Sequence, residues 1–401
     1  MTTSSNEPSG TSPLHIAAIG TLLLMNVYAP QALLPLLSRE FQVSTAQVGT
    51  LIGSTTLAIA LASPVSGLLA DALGRKRVMM GAFALLLLPC LLAANADTFS
   101  TLSAARFLQG LLIPLVMVAI TAYLVEETPR WQYNRLLTGY VAGTVLGGFL
   151  GRLISGLVAH GGDWHPAFYA LLLTNLLGLA LVWRLPAETH FHPQRSRWRT
   201  RVTLAAHLRN PQLLSVCLAG FLILFVLVAV FNTVPFRLAA PPYNLGPGPL
   251  GLIFAVYLLG VVVTPATSPV LQSRGPGFVL RAAAGISLLG LGLTLLAPLP
   301  VIVVGLALAS TGVFMAQAAA QNLVQQSVHS GRSLAGGLYN FAYYGGGAAA
   351  SVAAGLAFDA GGWPRVVLLC AVAWALLLAL SVWVRHRNAG HGELDPRVFP
   401  G

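Results

Sequence analysis

The chain has 401 residues, of which 56% are hydrophobic and only 8% are charged. A soluble protein of this length would carry about a quarter charged residues, so most of this surface must meet lipid. The net charge of +11 comes from few and scattered basic residues, which does not favour nucleic acid as a partner. The three cysteines lie far apart inside apolar runs and indicate neither a disulfide framework nor a metal site.

Twelve apolar runs follow one another along the chain, after a polar tail that lacks Lys and Arg and is therefore unlike a cleavable signal peptide. Each run has about the 20 residues that a helix needs to cross a bilayer core. We therefore predict an all-α membrane protein with twelve transmembrane helices. They are expected at 14–37, 47–70, 78–96, 101–124, 136–159, 166–185, 212–235, 249–271, 278–298, 300–324, 334–358 and 364–384.

One connection is much longer than the others and divides the chain into two halves. It is polar and rich in Arg, and it separates two sets of six predicted spans. The predicted domains are an N-terminal tail, a first six-helix bundle, a central loop, a second six-helix bundle and a C-terminal tail, at 1–13, 14–185, 186–211, 212–384 and 385–401.

The two halves resemble each other in sequence. An offset of 199 residues aligns Gly147 with Gly346 and Trp164 with Trp363. Alternating-access transporters are built from such repeats, with a site near the midplane between the halves. We expect two pseudo-symmetric bundles; the alternative is that glycine-rich membrane helices resemble each other by chance.

The positions of the basic residues predict the orientation. With the N-terminus inside, 17 of the 22 Lys and Arg lie on the inner side. Only Arg39, Arg237 and Arg365 lie on the outer side, and two more lie within spans. The positive-inside rule therefore places both termini and the central loop in the cytoplasm.

Charge is concentrated in one turn between the second and third predicted spans. The segment GLLADALGRKR, residues 67–77, contains four charged residues in seven positions. Gly74 can supply a backbone conformation with positive φ, and Gly67 allows another helix to approach closely. Asp71 is not needed as a membrane anchor and is expected to face a helix N-terminus or an arginine.

This segment resembles the signature between spans two and three of the major facilitator superfamily, and Arg106–Gly110 resembles its R-x-x-Q-G segment. The resemblance covers essentially the whole chain. It implies that Asp71 and Arg75 hold the bundles together on the cytoplasmic side, with an acid from the end of span four. The implied gating residues are Gly67, Asp71, Gly74, Arg75, Glu126 and Glu127. The alternative is a simple topological anchor.

Glycines recur every four residues in the fifth predicted span, at Gly139, Gly143, Gly147 and Gly151, and predict close helix packing. The segment 143–148 resembles the antiporter signature of the drug/proton-antiporter branch, although Thr144 stands where that signature has proline. With NVYAPQALLPLLSREF in span one, the chain looks most like the arabinose-efflux-permease-like exporters.

Two ionisable residues lie within spans, where charge is costly and usually functional. They are Arg106 and Arg152, and no acid lies near the centre of a span. A neutral or anionic substrate is therefore favoured. Other candidates for substrate binding or coupling, for each of which plain interhelical hydrogen bonding is the alternative, are Asn26, Gln31, Gln109, Asn232, Tyr257, Gln317, Gln321, Tyr339, Asn340 and Tyr343.

These features predict a secondary active transporter that moves a small solute by alternating access, through proton-coupled efflux across the cell inner membrane. A uniporter and a lipid or lysolipid transporter are the alternatives on the same fold. An enzyme is disfavoured, because the spans carry neither paired acids nor a His/Cys set. We expect a monomer in the lipid bilayer, without a cofactor.

Overall fold

The computed structural model describes residues 11–159, 161–189, 205–328 and 332–389. Most of the predicted N-terminal tail, the middle of the predicted central loop and the end of the C-terminal tail lie outside the described residues.

The described chain is helical and accounts for all twelve predicted spans. Ten of its helices are long and apolar enough to cross a membrane. Two of these bend sharply, at Gly275 and at Gly361–Gly362, and each therefore covers two spans. The spans are α1 Pro13–Glu40, α2 Thr45–Leu73, α3 Arg75–Ala94, α4 Phe99–Glu127, α5 Arg130–Val158, α6 His165–Trp183, α7 Pro211–Ala239, α8 247–274, α9 276–293, α10 Leu299–Gln326, α11 332–360 and α12 363–389.

The turns after α2 and after α8 each contain a glycine with positive φ. Gly74 has φ 95° and Gly275 has φ 75°, a region that side chains disfavour. Each glycine ends one span and starts the next without a long loop. The two halves therefore share this turn, although only the first carries the acidic and basic cluster of residues 71–77.

α1 is broken near its middle. It is α-helical over Pro13–Tyr28, 3₁₀ over Ala29–Leu33 and α-helical again over Leu34–Glu40. Pro30 has no backbone N–H, so the carbonyl of Asn26 lacks its usual partner four residues on. The break leaves carbonyl groups that another part of the protein must satisfy.

The glycine ridge of α5 packs on the backbone of α1. A Cβ at Gly143 or at Gly147 would lie 2.1 Å from a carbonyl oxygen of α1, that of Ala17 or of Thr21. Cβ atoms at Gly139 and Gly151 would meet α1 carbonyl oxygens at 2.8 and 2.7 Å. Only glycine permits this approach.

The second half repeats this packing. A Cβ at Gly346 of α11 would lie 2.0 Å from the carbonyl oxygen of Phe221 in α7. Gly346 is the residue that the offset of 199 aligns with Gly147. The aligned glycines therefore make equivalent close helix contacts in the two bundles.

The bundles meet closely on one face of the membrane, which we call the far side, opposite to the terminal side where α1 begins. A Cβ at Gly156 in α5 would lie 2.3 Å from the carbonyl oxygen of Pro247 in α8. A Cβ at Gly355 in α11 would lie 2.3 Å from Cα of Ala46 in α2. These glycines are also aligned by the repeat, so two related contacts close the far side.

At the terminal ends of the corresponding helices, no such close contact is seen among the described residues. Cβ atoms at Gly336 and Gly337 of α11 would meet no described residue within 4 Å. A Cβ at Gly67 of α2 would meet only Val118 of its own bundle, at 3.8 Å. The close helix approach expected at Gly67 is therefore absent from this conformation among the described residues.

Candidate functional site

The polar residues singled out in the spans fall into three groups, and the first lies inside the N-terminal bundle. The Nδ2 of Asn26 donates to Oδ1 of Asn175 at 3.1 Å, and the Nδ2 of Asn175 donates to Oδ1 of Asn26 at 2.9 Å. The Nε2 of Gln109 lies 2.9 Å from Sγ of Cys90. All four residues are buried, and this group joins α1, α3, α4 and α6.

Arg106 completes this group and holds the broken helix α1. Its guanidinium donates to the carbonyl oxygens of Asn26 at 2.7 Å and of Val27 at 2.6 Å, and to Oε1 of Gln109. The carbonyl of Asn26 is the one that Pro30 deprives of a helical partner. The buried cation of α4 therefore satisfies the acceptors that the break exposes.

The second group lies between the bundles, around Arg152. The Nε of Arg152 donates to Oε1 of Gln31 at 2.6 Å, and the Nε2 of Gln31 donates to Oδ1 of Asn232 at 2.6 Å. The Nδ2 of Asn232 donates to Oγ of Ser351 at 3.1 Å. This chain of hydrogen bonds runs from α5 through α1 to α7 and α11, and so crosses from one bundle to the other.

Aromatic rings surround the guanidinium of Arg152. Its central carbon lies 4.5 Å from the ring centre of Tyr28, 4.7 Å from that of Phe254 and 4.2 Å from that of Tyr257. Such contacts stabilise a cation, the more so when it is desolvated. Phe254 and Tyr257 are buried, whereas Tyr28 is half-buried.

The third group lies in the C-terminal bundle. The hydroxyl of Tyr339 donates to Oε1 of Gln317 at 2.8 Å, and the rings of Tyr339 and Tyr343 stack with centres 5.9 Å apart. Tyr339 is buried, whereas Tyr343 and Asn340 are half-buried and Gln321 is exposed. The structure thus brings Gln317 and the tyrosines together and leaves Gln321 and Asn340 nearer the surface.

The acidic and basic residues of the gating segment form a cluster within the N-terminal bundle. The Nη2 of Arg75 lies 2.8 Å from Oδ1 of Asp71 and 2.8 Å from Oε1 of Glu126. Arg75 is buried, whereas the two acids are partly exposed. Glu127 lies outside this cluster and accepts hydrogen bonds from Thr189, which follows α6.

On the far side a different acid joins the bundles. The backbone N–H of Ala46, in the first turn of α2, donates to Oδ2 of Asp359 in α11 at 3.1 Å. An acid is favourable at a helix N-terminus. In the turn between α5 and α6, the hydrogen bond from His165 lowers the pKa of the Asp163 carboxyl.

Sequence reasoning missed several residues of these groups. They are Tyr28, Cys90, Asn175, Phe254 and Ser351. Tyr28 stands three residues from Gln31 in the segment NVYAPQALLPLLSREF, but no sequence signal places the other four in these groups. No three His, Cys, Asp or Glu side chains in the described ranges come together as a metal site requires.

Two repeated six-helix bundles, closed against each other on one side and joined by buried polar groups, define a membrane transporter. The sequence profile of the Major Facilitator Superfamily matches residues 16–351. The chain therefore belongs to the major facilitator superfamily, whose members are transporters and not enzymes.

Relatives and solved structures agree with this assignment. The chain is 30% identical over 381 residues to the inner membrane transport protein YnfM of Escherichia coli, covering 94% of this chain and 90% of the relative. It is 29% identical over 356 residues to the uncharacterized MFS-type transporter YybF of Bacillus subtilis, covering 88% of each. The crystal structure of a mutant of the nucleoside transporter NupG has the same fold, with a TM-score of 0.78 and 14% identity, covering 92% of this chain and 98% of that one.

Proposed function

We propose that this transporter exports a small anionic or neutral solute from the cytoplasm by alternating access, with protons as the coupling ion. The observation that carries the substrate class is the burial of Arg106 and Arg152, both 0% exposed, at membrane depth. Their described partners are carbonyl oxygens, amide oxygens and aromatic rings, with no carboxylate among them. A cationic solute would be repelled by this pair, whereas an anion would be attracted.

The asymmetry of the two sides supports alternating access. The positive-inside distribution makes the terminal side cytoplasmic, and with it both termini. The glycine contacts at Gly156 and Gly355 join the bundles on the far side, whereas Cβ atoms at Gly336 and Gly337 of α11 would meet no described residue within 4 Å. This is the arrangement in which a cytoplasmic solute enters. Separation of the far-side contacts would release it outside.

The Asp71–Arg75–Glu126 cluster is the proposed place of proton coupling. Arg75 is a buried cation shared by two carboxylates, each 2.8 Å away. Protonation of either acid removes a charged partner of Arg75 and weakens the cluster. The cluster lies at the terminal end of α2 and α4, where the bundles must meet when the cavity faces outward.

A lipid or lysolipid transporter is the second candidate, and one observation favours it. A cavity of about 450 Å³, lined mostly by apolar residues, lies at the terminal side between α7, α9, α10 and α12. Arg274 and Arg281 stand at this cavity. A lipid whose anionic headgroup bound these arginines would place its acyl chain among the helices.

The experiment begins with a thermal-stability screen of the purified protein against matched anionic, neutral and cationic solutes and lysolipids. A ligand that binds the folded state raises its apparent stability with concentration. Hits are then loaded into proteoliposomes, and their efflux is followed with and without a pH gradient.

We expect the pH gradient to accelerate the efflux of an anionic or neutral hit. This efflux should be lost in Asp71→Asn but kept in Glu40→Gln. Glu40 is an exposed acid at the far end of α1 and serves as the matched control. Stabilisation by cations alone, or transport that ignores the gradient, would contradict the proposal. Stabilisation by lysolipids alone would favour the second candidate.

A further inference from the structure

The guanidinium of Arg152 is incompletely satisfied. One terminal nitrogen, Nη1, donates to the carbonyl oxygen of Gly148, and Nε donates to Oε1 of Gln31. The other terminal nitrogen, Nη2, is buried and has no hydrogen-bond partner among the described residues. An unpaired buried donor is costly, and more so when it carries charge. A bound anion or water would satisfy this donor.

The unsatisfied edge has the geometry of a carboxylate site. In a guanidinium, Nε and Nη2 lie on the same edge of the plane and present parallel N–H groups. Two parallel donors match the two oxygens of a carboxylate. One of these donors is free, and the other is held by the neutral amide of Gln31. An anion therefore has to displace only one uncharged side chain to bind at both positions.

The surroundings of this guanidinium are aromatic. Tyr28, Phe254 and Tyr257 lie around the guanidinium, and Tyr28 is the half-buried ring of the three. These walls suit a planar or apolar group beside the carboxylate better than a group rich in hydroxyls.

The site also spans the two bundles. Arg152, Gln31 and Tyr28 belong to the first bundle, whereas Phe254 and Tyr257 belong to the second. When the far side opens, Arg152 loses these two rings and gains water. Closing the far side buries the cation again, and burying it together with an anion costs less than burying it alone.

We propose that Arg152 is the carboxylate subsite for an organic acid whose remaining part is apolar or aromatic. The carboxylate binds Nε and Nη2 and displaces Gln31, which loosens the chain of hydrogen bonds from Gln31 to Asn232 and Ser351. Substrate binding is thereby linked to the relative position of the bundles. This inference rests on the proposed transport of an anion and names its class.

The test compares carboxylates with uncharged analogues of the same shape. The probes are benzoate with benzamide and hexanoate with hexanamide, measured by thermal unfolding of the detergent-purified protein over a range of concentrations. We expect both carboxylates, and neither amide, to raise the unfolding temperature. Arg152→Gln should abolish the effect and Arg152→Lys should weaken it about tenfold, because a point charge replaces the planar fork. Arg39→Gln, at an exposed arginine of α1, should change nothing.

Gln31→Met separates a ligand role from a structural one. It removes the side chain that competes with the carboxylate for Nε, so the probe should bind about tenfold more tightly, the equivalent of one hydrogen bond to a charged group. A purely structural Arg152 would give no gain of affinity in this variant. The comparison also remains informative should Arg152→Gln not fold.

The outcomes separate this inference from the proposed function. Equal stabilisation of the wild type and of Arg152→Gln by carboxylates would overturn the subsite and leave anion transport standing. Unchanged or weaker binding in Gln31→Met would also overturn the subsite. Absence of stabilisation by carboxylates together with stabilisation by cationic amines alone would overturn both. Stabilisation by the amides alone would overturn the subsite and leave transport of a neutral solute standing.

Discussion

Replacement of Gly355 by alanine should open the far side of the transporter. The added Cβ would lie 2.3 Å from Cα, 2.6 Å from N and 3.0 Å from Cβ of Ala46 in the other bundle. Non-bonded carbon atoms normally stay about 3.5–4.0 Å apart, so the two helices must separate by roughly 1 Å. The three Ala46 atoms in the clash belong to the backbone or to a one-carbon side chain, and they cannot move away unless the helix moves.

The cost of this clash falls on one conformation. Overpacking a close contact costs about 1–3 kcal/mol. Because Gly355 and Ala46 belong to different bundles, a conformation with the far side open does not pay this cost. The equilibrium should therefore shift by about 5- to 150-fold toward that conformation.

The assay is the distance between spin labels on Glu40→Cys and Gly246→Cys, two exposed positions at the far side in different bundles. The native cysteines are buried, which limits background labelling. We expect the longer far-side distance to gain population in Gly355→Ala. Gly285→Ala in α9 is the control, because its Cβ would meet nothing within 4 Å. An unchanged distance distribution in a folded Gly355→Ala protein would refute the reasoning.

Three further changes have different expected outcomes. Gly147→Ala places a Cβ 2.1 Å from the Thr21 carbonyl oxygen within one bundle, so it should lower the unfolding temperature without widening the far side. A longer distance between the two far-side spin labels would contradict this expectation. Arg106→Lys should destabilise the protein by about 1–3 kcal/mol in denaturant unfolding, because carbonyl groups at the break of α1 lose their donors; wild-type stability would show that water or another donor replaces the guanidinium. Asp359→Asn should favour far-side opening by at most about 1 kcal/mol, through the loss of a charge at the N-terminus of α2. An equal effect in Asp97→Asn, at an exposed acid of the turn between α3 and α4, would point to a general charge effect instead.

Much of the fold was predictable because the bilayer restricts the choices. A lipid core requires a helix of about 20 apolar residues for each crossing, and this requirement alone yields the twelve spans. The helix ends differ from the predicted spans by a few residues, since helices extend past the apolar core into the headgroup region. The repeat of 199 residues also correctly anticipated that Gly147 and Gly346 occupy equivalent positions.

The candidate site was predictable only in part. Arg106 and Arg152 stood out in the sequence because charge is rare in a membrane span. The sequence does not distinguish the roles of Arg106 and Arg152, since both are single arginines in apolar helices. The structure gives Arg106 a set of carbonyl partners at the break of α1, whereas Arg152 stands between the bundles with one donor unpaired.

The amino-acid sequence by itself determined the class of the protein, the number of spans, the repeat and the cluster of charge after α2. These depend on composition, periodicity and local chemistry, which are properties of one segment at a time. The tertiary structure alone decided which side is closed and which residues surround Arg152. Gln31, Asn232 and Ser351 lie up to 320 positions apart in the chain, and only the packing of two bundles brings them into one chain of hydrogen bonds.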